Sequence, residues 1–183
     1  MSCGFAHRAL LADGRCGVDM ACAARRRRAR SKSQPIDPER ATMTGYDDQN
    51  IFARILRGEV PSFKVLETDR TFAFLDIMPR SPGHTLVIPK APARGILDIA
   101  EDDLAAVARS AKRIAIAAMK AFAADGIIIQ QFSEPASGQV VFHLHMHVMP
   151  VMAGVALLPA QTVKAEMDVL ADHARRMIAA LAG

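Results

Sequence analysis

Tryptophan is absent from the 183-residue chain, tyrosine occurs once, and aromatic residues amount to only 5%. A core must therefore be packed by Ile, Leu, Val, Met and Ala, and a chain of this length suffices for one sizeable core rather than two. Cysteine is almost as scarce: Cys3, Cys16 and Cys22 are the only ones, all near the start. The rest of the chain can form neither a disulfide nor a cysteine-ligated zinc site. That fits a reducing compartment, and a cytoplasmic location is expected. No uncharged apolar run is long enough to span a bilayer, since the best stretch, Val148 to Val163, is interrupted by Pro150 and Pro159. A soluble protein with no membrane partner is expected.

Excess positive charge is also missing from most of the chain. The formal net charge is +4, yet residues 1–42 hold nine Lys/Arg against four Asp/Glu, whereas residues 43–183 hold fourteen against fifteen. The run Arg25 to Arg28 comes without a periodic apolar pattern, as in a solvated basic tail rather than a nucleic-acid reader, so no specific nucleic-acid partner is expected. Asp13 cuts the short apolar run of this segment, which is therefore no convincing secretory signal. Residues 1–42 are read as a disordered basic tail, or as a start-site artefact ahead of Met43. Residues 43–183 are read as the folded domain, ending in a C-terminal helix.

What is present becomes regular from about residue 46. Asn50 can cap a short helix over "IFARILRG", with Ile51, Phe52 and Ile55 on one face and Gly58 as its stop. "PSFKVLETD" and "TFAFLDI" read as strands joined by a tight turn at Thr68 to Arg70, and His84 to Ile88 as a third strand closed by Pro89. "AEDDLAAVARSAKRIAIAAMKAFAADG" has acids in its first turn, helical apolar spacing and Gly126 after its end. "IIIQQF" and "VVFHLHMHV" read as a second strand pair around "SEPASGQ". A last amphipathic helix is expected over roughly Val163 to Leu181. Short connections favour antiparallel neighbours, so the fold class is α+β: a meander sheet of about five strands with helices packed on one face.

The opposite face would carry histidine. In "HLHMHVMP", His143, His145 and His147 alternate with Leu144, Met146 and Val148, so a strand would place three imidazoles in one row above an apolar underside. Strict alternation argues against scattered structural histidines. The residues alone leave a metal site and catalysis by the rings themselves both open. The surroundings favour a nucleotide site. "SGQ" offers a flexible loop at Gly138 whose amides can approach an anion, Gln139 adds a side-chain donor, "PGH" brings His84, and Asp76 ends an apolar strand where it could hold ribose hydroxyls.

"SGQVVFHLHMHVMP", "NIFARILRGEVPSFKVLETD" and "FAFLDIMPRSPGHTLVIPK" together resemble, in order, the histidine-triad (HIT) nucleotide hydrolases, over about residues 46–150. The resemblance implies that His145 is a nucleophile forming a nucleotidyl-imidazole intermediate. It further implies that His143 and His84 orient neighbouring rings, and that His147 contacts phosphate and shares in proton transfer. Backbone donors near Gly138 and His145, with Gln139, would stabilise the phosphoryl oxygens, and Ser133 would belong to the same binding loop. Asp76 would take the ribose, and Ile51, Phe52, Ile55, Phe74 and Ile77 would line a base pocket with loose base preference. The family's metal-using transferase branch has glutamine where this chain keeps His147, so neither metal nor cofactor is expected.

The implied activity is cleavage at the α-phosphorus of a nucleoside monophosphate conjugate. Phosphoramidates of purine nucleotides come first and dinucleoside polyphosphates second. The rival is a catalytically weak nucleotide-binding regulatory module. A homodimer is the implied assembly. Family members often carry Asn at the place of Ser133 and Ser or Thr at that of Val140, which bears on leaving-group choice.

Overall fold

The structure, a computed structural model, describes residues 45–183. The readings of residues 1–42 and of Met43 as a start lie outside the described residues.

Each element begins where the local chemistry favours it. Helix α1 (Ile51–Leu56) is capped by the Asn50 side chain, which accepts from the amides of Phe52 at 3.0 Å and Ala53 at 2.9 Å. Gly58, at φ 76°, supplies the left-handed residue that stops it. Strands β1 (Lys64–Glu67) and β2 (Thr71–Leu75) form a hairpin, and the Thr68 hydroxyl accepts from the Thr71 amide at 3.0 Å to close the turn. Strand β3 (Thr85–Pro89) follows, buried along its whole length. Helix α2 (Glu101–Phe122) has no side-chain cap, so Glu101, Asp102 and Asp103 in its first turn face the exposed amides. Its stop is Ala123, at φ 49°, and Gly126 instead opens strand β4 (Gly126–Gln131), where an added Cβ would meet Val151 at 3.3 Å.

Strand β5 (Met146–Val151) is shorter than the alternation predicts. Residues 140–145 leave the ladder because the Leu144 amide donates to the Ala93 carbonyl at 2.8 Å, tying this stretch to the segment after β3. Helix α3 (Met167–Ala182) also starts later than its periodicity suggests. The residues ahead of it are pinned as an extended strap, with Leu158 donating to the Arg80 carbonyl and Ala165 to the Ile77 carbonyl, both at 2.9 Å.

The five strands form one antiparallel sheet in the order β1-β2-β3-β5-β4. The α+β class and strand number are as expected, with one departure from sequential order: β5 inserts between β3 and β4. Long α2 carries the chain from β3 past the vacant position to the edge, and β5 then fills it. The two long helices cover one face, where Leu75, Val87, Leu144 and Val148 meet Val107, Ile114, Leu170 and Met177. Each such buried aliphatic side chain contributes roughly 1.5–3 kcal/mol. On the other face lie α1 and a small cluster of Phe52, Phe74, Leu86 and Ile88. Among the described residues no helix is long and apolar enough to cross a membrane.

A close contact joins the turn before β3 to the helical layer. Gly83 stands at φ 78°, and a Cβ there would lie within 2.8 Å of three atoms of the Phe122 ring. That ring is held in turn by the Arg176 guanidinium at 4.4 Å and the edge of His173 at 5.0 Å. Gly83→Ala therefore faces both backbone strain and overpacking, and should lose about 3 kcal/mol or more in urea unfolding. In a Phe122→Ala background the same substitution should cost markedly less, because only the backbone term remains.

Candidate active site

The first two histidines of the triad are fixed by hydrogen bonds that also assign their protons. His145 Nδ1 lies 2.7 Å from the carbonyl oxygen of His143. A carbonyl can only accept, so Nδ1 carries the hydrogen and Nε2 keeps its lone pair. His143 Nε2 lies 3.0 Å from the Pro89 carbonyl and must donate, which leaves Nδ1 to accept from the Tyr46 hydroxyl at 2.5 Å. His143 is thus fully engaged and wholly buried, and it positions His145 through its backbone carbonyl rather than its ring. The row of rings survives although the strand begins only at Met146, because Phe52 packs edge-on against both His143 and His145.

A second pair is wired the opposite way. The Arg80 amide donates to His84 Nδ1 at 3.2 Å, so neutral His84 carries its hydrogen on Nε2. That nitrogen lies 2.9 Å from His147 Nδ1, which must accept, leaving His147 with its hydrogen on Nε2. Asp76 Oδ1 accepts from the Met78 amide at 2.8 Å, while Oδ2 stays 3.5 Å from His84 Nδ1. Asp76, His84 and His147 each offer a ligand atom within 4.8 Å of the others, as a metal ion would need. Both His84 nitrogens and His147 Nδ1 already hold hydrogen bonds, however, so a metal ion held by those atoms would have to break the relay.

The cavity beside these rings has a volume of about 610 Å³. Ile51, Phe52, Ile55, Phe74 and Ile77 form its apolar walls. Asp76, His84, His145 and His147 also line it, with Gly138 at its rim. Three expected residues are used otherwise. Gln139 is turned inward: its amide nitrogen donates to the carbonyls of Arg94 at 2.7 Å and Val141 at 3.0 Å, and its oxygen accepts from the Glu134 amide at 2.7 Å. Its donors hold the loop and are not directed at a phosphate. The Ser133 hydroxyl accepts from the Ile96 amide at 3.1 Å and does not line the cavity. The Gly138 amide is likewise used within its own turn, donating to Pro135 at 3.0 Å.

Residues that the motif did not reveal do much of this positioning. Tyr46 reaches His143 from far along the chain. Arg94 grips Glu134 with two bonds of 2.8 and 2.9 Å and stacks over Phe142 at 3.9 Å, holding Glu134 at φ 71°. Burial dominates the electrostatics. It lowers His84 to about 3, with His147 and Arg80 adding to the effect. His143 falls to about 4, again through burial, opposed by its bond to Pro89. His147 falls to about 4 through burial, His145 and Arg80, and burial lowers His145 as well. Near neutral pH all four rings are uncharged. Burial also raises Asp76 and Tyr46.

Known proteins carry the same pattern. The family model described as HIT domain matches residues 57–154. An uncharacterised HIT-like protein of Saccharolobus solfataricus is 42% identical over 100 residues, spanning 55% of this chain and 72% of that protein. The adenosine 5′-monophosphoramidase of Saccharomyces cerevisiae is 39% identical over 100 residues, spanning 55% of this chain and 61% of the yeast protein. Among solved structures, a Hit-like protein of Bartonella henselae superposes with a TM-score of 0.71 at 47% identity, over 74% of this chain and 98% of that one. A zinc-bound histidine triad family protein of Mycobacterium smegmatis gives 0.66 at 34% identity, over 73% and 94%.

The wiring has a measurable signature. Nitrogen-15 NMR of the imidazoles should find His145 protonated on Nδ1, and His143, His84 and His147 on Nε2, with the latter three still neutral at pH 6. An unfolded chain protonates His84, His143 and His147 near pH 6.5, whereas the folded chain resists until about 3 to 4. Stability is therefore complete above pH 6.5 and lost progressively as pH falls through that window. Tyr46→Phe leaves the buried His143 Nδ1 without a donor and should cost about 1–2 kcal/mol.

Proposed function

Since the chain belongs to the histidine-triad (HIT) family, we propose that it hydrolyses nucleoside monophosphate conjugates at the α-phosphorus, phosphoramidates before dinucleoside polyphosphates. One observation carries this reading. Two neutral rings with centroids 5.0 Å apart present opposite functions to one cavity: a lone pair at His145 Nε2 and an N–H at His147 Nε2. Nucleophile and acid stand side by side, as a displacement at phosphorus requires.

The His145 lone pair attacks the α-phosphorus, a P–N(imidazole) bond forms, and the bond to the leaving amine or phosphate breaks. The departing atom takes the proton from His147 Nε2. Water then attacks the nucleotidyl-histidine and returns a proton to His147 Nε2, releasing the monophosphate and restoring both rings. The His143 carbonyl accepts the Nδ1–H of His145, whose acidity rises as the ring gains positive charge, so this bond strengthens when it matters most. His84 supports His147 in the opposite sense, its Nε2–H donating more strongly to His147 Nδ1 as His147 gives up a proton and gains negative charge. The apolar walls formed by Phe52 and Phe74 read a purine by its flat shape, and Asp76 is the acceptor for ribose hydroxyls.

The yeast relative, an adenosine 5′-monophosphoramidase, supports phosphoramidate cleavage. A metal-dependent reading draws on the Asp76–His84–His147 cluster and the zinc-bound mycobacterial neighbour. Exhaustive chelation separates the two, and activity should survive it. Homodimeric assembly and a cytoplasmic location belong to the same proposal. Support for the dimer comes from Ile116 and Met119, exposed on α2, and Ile129, exposed on the edge strand β4. Light scattering at micromolar concentration should report twice the chain mass.

His145→Asn should abolish turnover of an adenosine phosphoramidate while nucleotide binding stays largely intact, a loss of about 4 kcal/mol or more in transition-state stabilisation. A variant that keeps most of its kcat would sink the mechanism. For the wild type, the acid limb of kcat/KM should lie below pH 6.5, because burial lowers the nucleophile His145. Protonation then removes the lone pairs of rings that burial had kept neutral. An acid limb centred near 6.5 would contradict the buried-imidazole account.

A further inference from the structure

Away from its apolar walls the cavity ends at a cation. Arg80 lines it together with Gln130 and Phe132. The guanidinium is held from two sides, Nε donating to the Leu158 carbonyl at 2.9 Å and a terminal nitrogen reaching Gln130 Oε1 at 3.5 Å. A guanidinium has five N–H donors, so three remain without a hydrogen-bond partner among the described residues. Acidic partners answer Arg54, Arg57, Arg70, Arg94, Arg175 and Arg176, but none answers Arg80, Arg109 or Arg113 among the described residues, and of these three Arg80 alone lines the cavity. Asp76, the acid in the same cavity, accepts from the Met78 amide instead.

The position of this charge is informative. Gln130 is the cross-strand partner of His147, so Arg80 stands on the His147 side of the site. Its charge acts on His84 and His147, while His145 takes no comparable contribution from it. The base walls flank His145 through Phe52, at 5.1 Å between ring centroids. The cavity therefore runs from apolar wall, to nucleophile, to acid, to cation.

We propose that Arg80 determines leaving-group specificity by receiving an oxyanion borne on the group that departs from the α-phosphorus. This rests on the hydrolase reading above. The oxyanion can be a carboxylate on a departing amine or a phosphate beyond the scissile bond. Both suit a planar fork that has donors to spare and faces a partly desolvated cavity. The strap at Leu158 and the Gln130 side chain hold the fork in place, so little ordering is needed when substrate arrives.

The test compares three substrates on the full chain at pH 7.5: adenosine phosphoramidates of glycine and of glycinamide, which differ by one charge, and diadenosine triphosphate. The wild type should prefer the glycine conjugate to the glycinamide conjugate by about tenfold or more in kcat/KM. Arg80→Gln should collapse that ratio towards one and lower diadenosine triphosphate cleavage relative to the glycinamide conjugate. Arg80→Lys should keep part of both effects. A loss confined to diadenosine triphosphate names phosphate as the oxyanion, and one confined to the glycine conjugate names carboxylate. Both support the proposal. If Arg80→Gln changes all three substrates by one common factor, Arg80 is merely structural and the proposal falls. Should the wild type cleave none of them, the hydrolase reading fails, and calorimetric titration with ADP and AMP decides for Arg80 alone. An ADP preference lost in Arg80→Gln keeps the anion subsite, and an unchanged preference removes it.

Discussion

Four uncharged imidazoles, three buried and His147 half-buried, are the constraint on which the rest of this structure depends. Taking a histidine out of water favours its neutral form, and a neutral ring has one donor and one acceptor that both need partners. The fold supplies them in two short chains: Tyr46 to His143 to Pro89, with the His143 carbonyl holding His145, and Arg80 amide to His84 to His147. Each chain ends in a ring with one nitrogen turned to the cavity. Because the chains run in opposite proton senses, one ends in a lone pair and the other in an N–H. The chemical difference between two identical side chains thus comes from their neighbours.

Much of this was legible in the sequence where the signal was local. Asn50 as a cap, the hairpin at Thr68 to Arg70, and the apolar underside of Leu144, Met146 and Val148 all depend on residues a few positions apart. The chemistry-bearing residues His84, His145, His147 and Asp76 and the walls at Phe52 and Phe74 also met in one cavity. What escaped was decided by competition over distance. Ala123 takes the left-handed stop that glycine was expected to fill, because Gly126 is needed against Val151. Gln139 looked like a donor for phosphate, yet three backbone groups of its own loop and of Arg94 claim it first. Tyr46 carries no motif, and nothing near it in sequence betrays its reach to His143.

The loops around the site are held by charge and polarity rather than by grease. Arg94 joins Glu134, Phe142 and, through its carbonyl, Gln139, so one side chain and its backbone gather the segment after β3 and the turn before the triad. Glu134 in the left-handed half of backbone space is the strained member, and the bidentate grip of Arg94 offsets that strain. On the opposite rim the strap ahead of α3 is tied by backbone bonds at Leu158 and Ala165. The binding cavity therefore has rims that hydrogen bonding shapes and a base that apolar packing shapes.

The insertion of β5 between two earlier strands bears on how the molecule comes to exist at all. His147 pairs with Leu86 on one side and Gln130 on the other, so its register cannot be read until both neighbours are in place. A strand that closes a gap left open by preceding elements makes mostly non-local contacts, and these form late because loop closure must come first. Until then β3 and β4 each present an unpaired edge, and β3 is apolar beyond Thr85. His147 thus travels on the keystone of the sheet, with His145 just ahead of it, and assembling the candidate site and sealing the sheet against aggregation become one kinetic event.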